Sequence, residues 1–284
     1  MKRSTKLRFA CGFLSIISLA SCQSPTPATG SYTDRVEKTA SFGTKDPTGP
    51  ILYNPEEASE VRIATVEFTE GLQAEIYYPP DFDFTERLPV VVMINGFRND
   101  ETVSLFGMRM MDFFSNITWS AAIATEGLVV VNYETNNAFN STKDLLSYLV
   151  DNQKSLALDT GRMALFGNSD NGIVLYSLLG LKDFPPLDGV RGAVIYYSSF
   201  RVGTPKAPEG MSFFLARGDG SDEIEIRLMD KAAESLENAG YPVTYAVHPT
   251  GPHGFDYNTS DEVTEKIIFG TLEFLKEVLT ENPR

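Results

Sequence analysis

Cysteine and histidine are scarce in this sequence of 284 residues, which contains two of each. Both cysteines, Cys11 and Cys22, lie near the N-terminus, so no disulfide framework is expected in the rest of the chain. The two histidines, His248 and His253, are too few for a histidine-rich metal site. We therefore predict a protein that uses neither structural disulfides nor a bound metal ion.

Basic residues are also few, with 24 Lys and Arg against 38 Asp and Glu and a formal net charge of −14. A surface this acidic repels phosphate backbones and anionic lipid. Nucleic acid is therefore not expected as a partner. Nowhere does the sequence contain the roughly 20 consecutive apolar residues that a membrane-spanning helix needs.

The first 21 residues have the outline of a signal peptide, with a basic start at Met1–Arg8 and a short apolar stretch at Phe9–Leu19. The segment ends in Leu19-Ala20-Ser21-Cys22, which resembles the lipobox of bacterial lipoproteins. That resemblance implies a lipid anchor at Cys22, the first residue of the mature protein. It also implies a location in the bacterial cell envelope outside the cytoplasm, either periplasmic or at the surface. The alternative is an ordinary cleaved signal followed by an incidental cysteine.

Residues 22–49 are rich in Ser, Thr, Pro and Gly and poor in large apolar side chains, which predicts a flexible tether. Removal of residues 1–21 takes away four basic residues and no acidic ones, so the net charge changes from −14 to −18. Membrane attachment would then depend on the lipid alone. Residues 50–284 are long enough for one α/β domain with a sizeable core.

From Val61 onward, short apolar runs rich in β-formers alternate with stretches of helical length. The predicted strands are Val61–Thr69, Leu72–Tyr78, Leu88–Ile94, Leu128–Tyr133, Met163–Phe166, Ala193–Tyr197, Ser212–Ala216 and Val243–Val247. The predicted helices are Ser115–Thr125, Lys143–Ser155, Asn171–Leu181, Ile224–Ala239 and Glu262–Leu279. This alternation predicts an α/β fold with a mostly parallel eight-stranded sheet, helices on both faces and no large lid domain. In such sheets the chemistry gathers at the carboxyl ends of the strands.

Ser169 is the candidate nucleophile. The strand Met163–Phe166 runs into Gly167-Asn168-Ser169-Asp170-Asn171-Gly172, and a helical pattern follows. A serine on such a strand-to-helix turn projects its hydroxyl above the sheet, and the next amide, that of Asp170, points at the developing oxyanion. The pattern departs from Gly-x-Ser-x-Gly because Asn171 occupies the last position. The alternative is that Ser169 or Asp170 only caps the helix.

His253 is the candidate general base. It lies in the segment Gly251-Pro252-His253-Gly254, on the loop after the last predicted strand, where an imidazole can approach a serine hydroxyl and remove its proton. His248 competes for the role but stands at the end of the strand. A hydrogen-bonded core histidine is the structural alternative for either residue.

The acid that orients the histidine is expected on the loop after Ser212–Ala216, where Asp219, Asp222 and Glu223 compete. The acid must hold the imidazole from the tip of the loop rather than from the helix predicted to begin near Ile224. We therefore predict Asp222, with Asp219 as the second choice. A helix cap at Asp222 and a turn at Asp219 are the structural alternatives.

The second oxyanion donor is predicted after the strand Leu88–Ile94, in Asn95-Gly96-Phe97-Arg98. Gly96 permits a close approach of the backbone, so the amide of Phe97 is the candidate donor beside that of Asp170. The alternative is that Asn95-Gly96 forms only a turn.

With these residues in place, the sequence resembles the α/β-hydrolase superfamily, nearest to its dienelactone-hydrolase-like branch, over about Leu72 to Leu279. The likeness is carried by Leu158–Gly172, which resembles the Asp-x-x-Arg approach to the nucleophile, by Ala216–Ile224 and by Gly251–Asp256. The resemblance implies the α/β-hydrolase fold. It also implies hydrolysis of a small-molecule carboxylic ester through an acyl-enzyme, with no metal or organic cofactor. Because the nucleophile position is Ser169 and some members of that branch use cysteine, dienelactone itself is not implied.

The alternative hypothesis is a catalytically inactive lipoprotein of the same fold that binds a ligand or an envelope partner. Asn171 motivates it, because a distorted turn would leave Ser169 unable to attack.

Overall fold

The computed structural model describes residues 30–41, 46–181, 187–199 and 207–280. The strands are β1 (Gly30–Ser31), β2 (Arg62–Thr69), β3 (Leu72–Tyr78), β4 (Leu88–Met93), β5 (Val129–Tyr133), β6 (Leu158–Asn168), β7 (Val190–Tyr196), β8 (Ser212–Gly218) and β9 (Val243–His248). The helices are α1 (Tyr32–Ala40), α2 (Asn99–Phe106), α3 (Phe114–Thr125), α4 (Ala138–Asp151), α5 (Ser169–Leu179), α6 (Glu223–Asn238), α7 (Phe255–Asn258) and α8 (Glu262–Thr280). Two 3₁₀ turns, Glu56–Glu60 and Met110–Asp112, complete the described elements.

The strands form one sheet in the order β1-β2-β3-β5-β4-β6-β7-β8-β9. The six strands from β5 to β9 in that order are parallel to one another, whereas the pairs β1–β2, β2–β3 and β3–β5 are antiparallel. The predicted mostly parallel sheet is therefore confirmed, and its eight predicted strands are all present. The ninth strand, β1, is two residues long and pairs with β2.

Helices cover both faces of the sheet. Successive side chains of a strand point to opposite faces, so each strand contributes to two apolar clusters. In β4, Val90 and Val92 belong to one apolar cluster, and Val91 and Met93 belong to the other. The first cluster also holds side chains of α4, α5 and α6, and the second holds side chains of α1, α3 and α8. Full burial of such a side chain contributes roughly 1.5–3 kcal/mol. This two-sided core fixes the strands whose carboxyl ends carry the candidate site.

The tether predicted over residues 22–49 is wrong for residues 30–40, which form β1 and α1. Ser31 caps α1 and accepts a hydrogen bond from the amide of Asp34 at 3.1 Å. Arg35 is 5% exposed and pairs with Glu75 at 2.8 Å and with Asp112 at 2.5 Å. The segment is ordered by buried charge pairs, although it has few apolar side chains to bury.

The predicted signal peptide, residues 1–21, and the predicted lipidation site, Cys22, lie outside the described residues. Within the described ranges, the helices are all too short or too polar to cross a membrane.

Candidate active site

Ser169 stands at the junction of β6 and α5, as predicted. β6 ends at Asn168, and Ser169 begins α5 with a φ of 51°, which is in the left-handed region. The turn is tight, since a Cβ added to Gly167 would lie 2.9 Å from the carbonyl oxygen of Asn171. Only glycine fits at that position without a shift of the backbone. The resulting strand-to-helix turn presents the Ser169 side chain at the carboxyl edge of the sheet.

The start of α5 is held against the end of β7 by a second close approach. A Cβ added to Gly172 would lie 2.6 Å from Ser198 Oγ and 2.9 Å from Ile195 Cγ2. The Ser198 hydroxyl donates to the carbonyl oxygen of Ser169 at 2.7 Å. These contacts support a serine whose backbone conformation is unfavourable by itself.

His253 reaches Ser169 from the loop between β9 and α7. Its Nε2 lies 2.9 Å from Ser169 Oγ, which is a hydrogen-bond distance. Gly254 follows in the left-handed conformation, with φ 73°, and caps α7. The structure thus brings together the predicted nucleophile and the predicted base, which lie 84 positions apart in the chain.

The acid beside His253 is Glu225, and the prediction of Asp222 is wrong. Glu225 Oε2 lies 2.6 Å from His253 Nδ1, and Glu225 is 5% exposed. Asp222 is instead the N-cap of α6, where its Oδ1 accepts the amide of Ile224 at 2.8 Å. The reason is reach: a glutamate in the first turn of α6 is one methylene longer than an aspartate and extends back to the imidazole. A carboxylate at a helix N-terminus is also favoured by the helix dipole.

The remaining carboxylates of this loop do not contact His253. Asp219, the second choice, forms an ion pair with Arg217, and Glu223 is exposed in the first turn of α6. The spacing Asp222-x-x-Glu225 is typical of a helix start, which is the one signal in the sequence that points to Glu225.

His248 is buried and has a different set of partners. Its Nδ1 accepts the amide of Gly251 at 2.7 Å, so its Nε2 carries the proton and donates to Asp261 Oδ1 at 3.0 Å. A Cβ added to Gly251 would lie 2.7 Å from the His248 ring. His248 therefore supports the loop that presents His253, in agreement with the preference for His253 as the base.

Of the two predicted oxyanion donors, Phe97 lines the same cavity as Ser169, and Asp170 follows Ser169 directly in the chain. Asp170 is in the first turn of α5, where backbone N–H groups have no partner within the helix. The amide of Phe97 donates to Asn95 Oδ1 at 3.2 Å, near the upper limit for an N–H···O bond. The amide of Phe97 is thus engaged by Asn95 in this structure, and its role as an oxyanion donor stays a prediction.

A buried network that the sequence analysis missed lies beneath the histidine. Asp256 accepts the indole N–H of Trp119 at 2.7 Å and the hydroxyl of Tyr197 at 2.8 Å. Burial raises the pKa of Asp256, although these two donors act in the opposite direction. Burial and the nearby Asp256 raise the pKa of Tyr197 well above its ordinary value. The Tyr197 ring lies 4.6 Å from the His253 ring, so the network fixes one wall of the site.

A cavity of about 240 Å³ opens beside Ser169 and His253. Its apolar and aromatic lining consists of Pro47, Phe97, Leu105, Phe106, Met110, Phe113, Tyr197 and Tyr257. None of the described residues that line it is an Asp, Glu, Lys or Arg. Within the described ranges, His, Cys, Asp and Glu do not form a group of three that fits a metal ion. The cavity therefore suits an uncharged, largely apolar group.

No protein-family model matches the chain, and no curated protein matches it in sequence. Solved structures do match. Esterase LipW from Mycobacterium marinum has a TM-score of 0.62 and 15% identity, with 88% of each chain covered. Thermogutta terrifontis esterase 2, phosphorylated by paraoxon, has a TM-score of 0.59 and 14% identity, with 81% of this chain and 98% of that chain covered. A fungal esterase from Rhizomucor miehei has a TM-score of 0.60 and 13% identity, with 85% of this chain and 96% of that chain covered. Together with the sheet order and the turn at Ser169, this likeness shows that the chain has the α/β-hydrolase fold.

Proposed function

We propose that the protein is a serine hydrolase that cleaves carboxylic esters of small molecules through an acyl-enzyme intermediate. The observation that carries this proposal is the chain of contacts from Ser169 Oγ to His253 Nε2 at 2.9 Å and from His253 Nδ1 to Glu225 Oε2 at 2.6 Å. A carboxylate can only accept hydrogen bonds, so Glu225 keeps the imidazole proton on Nδ1. Nε2 is then free to accept the proton of the serine hydroxyl.

In the proposed reaction, His253 Nε2 takes the Ser169 proton while Oγ forms a bond to the ester carbonyl carbon. The carbonyl oxygen gains the electron pair of its π bond and is stabilised by the amides of Asp170 and Phe97. When the tetrahedral intermediate collapses, His253 returns the proton to the departing alcohol. Water then repeats the sequence on the acyl-enzyme and releases the carboxylic acid. The solved structures of this fold described above are named as esterases, which supports the same reaction class.

The cavity supports a substrate that is uncharged near the ester bond. Its described lining has no charged side chain other than a protonated His253, and the whole chain has a net charge of −14. An anionic acyl group would lose hydration without gaining a cation as partner. We expect a neutral butyrate ester of p-nitrophenol to be hydrolysed with a higher kcat/KM than the corresponding anionic succinate monoester.

The test of the reaction is steady-state hydrolysis of p-nitrophenyl acetate and butyrate by the purified protein without residues 1–22. Ser169→Ala should lower kcat by about 1,000-fold or more, because the acyl-enzyme cannot form. Ser177 is exposed on the same helix, where its hydroxyl donates to the carbonyl oxygen of Ile173 at 2.7 Å. Ser177→Ala should therefore keep full activity. Hydrolysis that survives Ser169→Ala undiminished would overturn the proposal.

The inactive-lipoprotein alternative depended on Asn171 distorting the turn. Ser169 nevertheless has a φ of 51° and lies within hydrogen-bond distance of His253, so that reason for the alternative is removed. If neither ester is hydrolysed by the folded wild-type protein, the alternative becomes the better account.

The sequence supports two further parts of the proposal. The Gly251–Asp256 motif favours the dienelactone-hydrolase-like branch of the superfamily, and the Leu-Ala-Ser-Cys segment favours lipid attachment at Cys22 in the bacterial cell envelope.

Incorporation of an alkyne-tagged fatty acid in bacterial cells tests the lipid attachment at Cys22. The wild-type chain should be labelled and Cys22→Ala should not, whereas equal labelling of the two would refute the anchor.

A further inference from the structure

Asn171 joins the two backbone segments that border the candidate oxyanion site. Its Oδ1 accepts the amide of Gly96 at 2.8 Å, and its Nδ2 donates to Asn168 Oδ1 at 3.0 Å. Gly96 precedes Phe97 on the loop after β4, and Asn168 precedes Ser169 on the turn after β6. Asn171 is 3% exposed, and its partners Gly96 and Asn168 are half-buried.

Asn171 occupies the place where the Gly-x-Ser-x-Gly pattern has its last glycine, and the packing explains why a side chain is accepted there. The contact that demands a glycine falls one residue later, where a Cβ on Gly172 would lie 2.6 Å from Ser198 Oγ. The Asn171 side chain instead faces the loop after β4. A Cβ on Gly96 would lie 3.2 Å from Asn171 Oδ1, so the loop and the amide are already in close contact.

We propose that Asn171 is a positioning residue that holds the loop of residues 95–97 at the correct distance from Ser169 for oxyanion stabilisation. This inference rests on the proposed ester hydrolysis. Among the residues that the structure describes, the partner of the Phe97 amide is Asn95 Oδ1, at the long distance of 3.2 Å. The preceding amide, that of Gly96, is held by Asn171 Oδ1. The Nδ2 of the same Asn171 side chain is bonded to Asn168, the residue before Ser169.

The physical consequence concerns the transition state rather than substrate binding. Donors that stabilise an oxyanion act because they are already in place when charge develops. Loss of one such donor lowers kcat by about 100- to 1,000-fold in a well-studied protease, and a misplaced donor should cost less. Asn171 and Phe97 also line the cavity, but most of its apolar wall comes from other residues, among them Met110, Phe113 and Tyr257. We therefore expect an effect on kcat with little change in KM.

The experiment compares Asn171→Ala and Asn171→Asp with Asn152→Ala in the purified protein. Asn152 also makes a side-chain hydrogen bond, to the carbonyl of Tyr148 at 2.9 Å, but it caps the C-terminus of α4 at the opposite edge of the sheet. Asn171→Ala should lower kcat for p-nitrophenyl butyrate by about 10- to 100-fold with KM within about twofold. Asn171→Asp should lose more, because its second oxygen faces Asn168 Oδ1 and its charge repels the oxyanion. Asn152→Ala should keep kcat.

A second readout separates positioning from simple loss of stability. Phenylboronic acid takes up the Ser169 oxygen at boron, while the serine proton passes to His253, and the negatively charged adduct imitates the tetrahedral intermediate. Its inhibition constant should rise in Asn171→Ala by about the factor by which kcat/KM falls.

Three outcomes would count against the inference. If Asn171→Ala lowers kcat no more than Asn152→Ala does, the inference is overturned, although a dead Ser169→Ala variant would leave the proposed function intact. An unchanged boronate constant in Asn171→Ala would overturn it as well. If the wild-type protein neither hydrolyses esters nor binds the boronate, the inference and the proposed function fall together.

Discussion

The side chain that partners His253 comes from the first turn of α6 rather than from the loop before it. A loop aspartate was expected because the acid was placed at the tip of the loop rather than in the helix that follows. Glu225 contacts the imidazole from within the helix. Its longer side chain extends back, so that Oε2 lies 2.6 Å from His253 Nδ1. Asp222 is used for the cap of that helix. The choice between the two depends on side-chain length and on where the helix begins.

This assignment predicts opposite results for two substitutions. Glu225→Gln should lower kcat/KM by about 100-fold or more, because an amide stabilises the wrong imidazole tautomer and leaves the imidazolium without a counter-charge. Asp222→Ala should keep most of the activity and lower the free energy of unfolding by about 1 kcal/mol through loss of the cap. Ester kinetics and urea denaturation measure the two effects. An inactive Asp222→Ala together with an active Glu225→Gln would restore Asp222 as the acid.

Among the site residues, those with a local pattern could be predicted and those defined by tertiary contacts could not. Ser169 follows a buried strand and precedes a helix, and His253 lies between glycines on the loop after the last strand, so both were recognisable. Nothing in the neighbourhood of Asp256 or Tyr197 in the sequence indicates their contact with one another. The network becomes visible only when α3, the end of β7 and α7 are placed together.

At the scale of elements, hydrophobic periodicity predicted the buried strands and the larger helices and failed at the N-terminus. The error has a physical cause, because α1 is held by charge as well as by apolar burial. Arg35 pairs with Glu75 and Asp112, and Arg109 pairs with Asp112 and Glu134. Ser31 and Asp34 form a capping box, which is a polar signal that an apolar pattern does not detect.

The charged cluster predicts a pH-dependent stability. Burial raises the pKa of Asp112, but Arg109 and Arg35 outweigh it, so the net pKa is lowered from 3.8. A group with a lowered folded-state pKa stabilises the fold above its unfolded pKa, and this contribution is lost as the pH falls through the folded-state value. Asp112→Asn should therefore lower the free energy of unfolding by about 3 kcal/mol at pH 7, because it leaves the buried Arg35 and the half-buried Arg109 short of a partner.

Urea denaturation between pH 7 and pH 3 checks this expectation. The difference in the free energy of unfolding between wild type and Asp112→Asn should shrink as the pH falls below 3.8. Asp100→Asn is the matched control, since Asp100 and its partner Arg98 are largely exposed, with side-chain exposures of 65% and 54%. The control should have little effect at any pH. A difference for Asp112→Asn that does not vary with pH would contradict the role of the ion pairs.

At the scale of the whole molecule, the fold was the most predictable feature. A strand that is buried on both faces consists mostly of apolar residues. Every strand from β2 to β9 could therefore be located from its apolar run. Strand β1 could not be located, because a strand of two residues has no hydrophobic periodicity. The shape of the cavity also depends on segments that are far apart in the sequence, from Pro47 to Tyr257, and no local pattern predicts it.

The central claim is that Ser169 is an activated nucleophile at the carboxyl edge of this sheet. The most direct measurement is mass spectrometry of the purified protein after reaction with a fluorophosphonate, followed by peptide mapping. We predict one adduct per chain on the peptide that contains Ser169, none in Ser169→Ala and much slower labelling in Glu225→Gln. A folded wild-type protein that remains unlabelled, or that carries the adduct on another residue, would contradict the account.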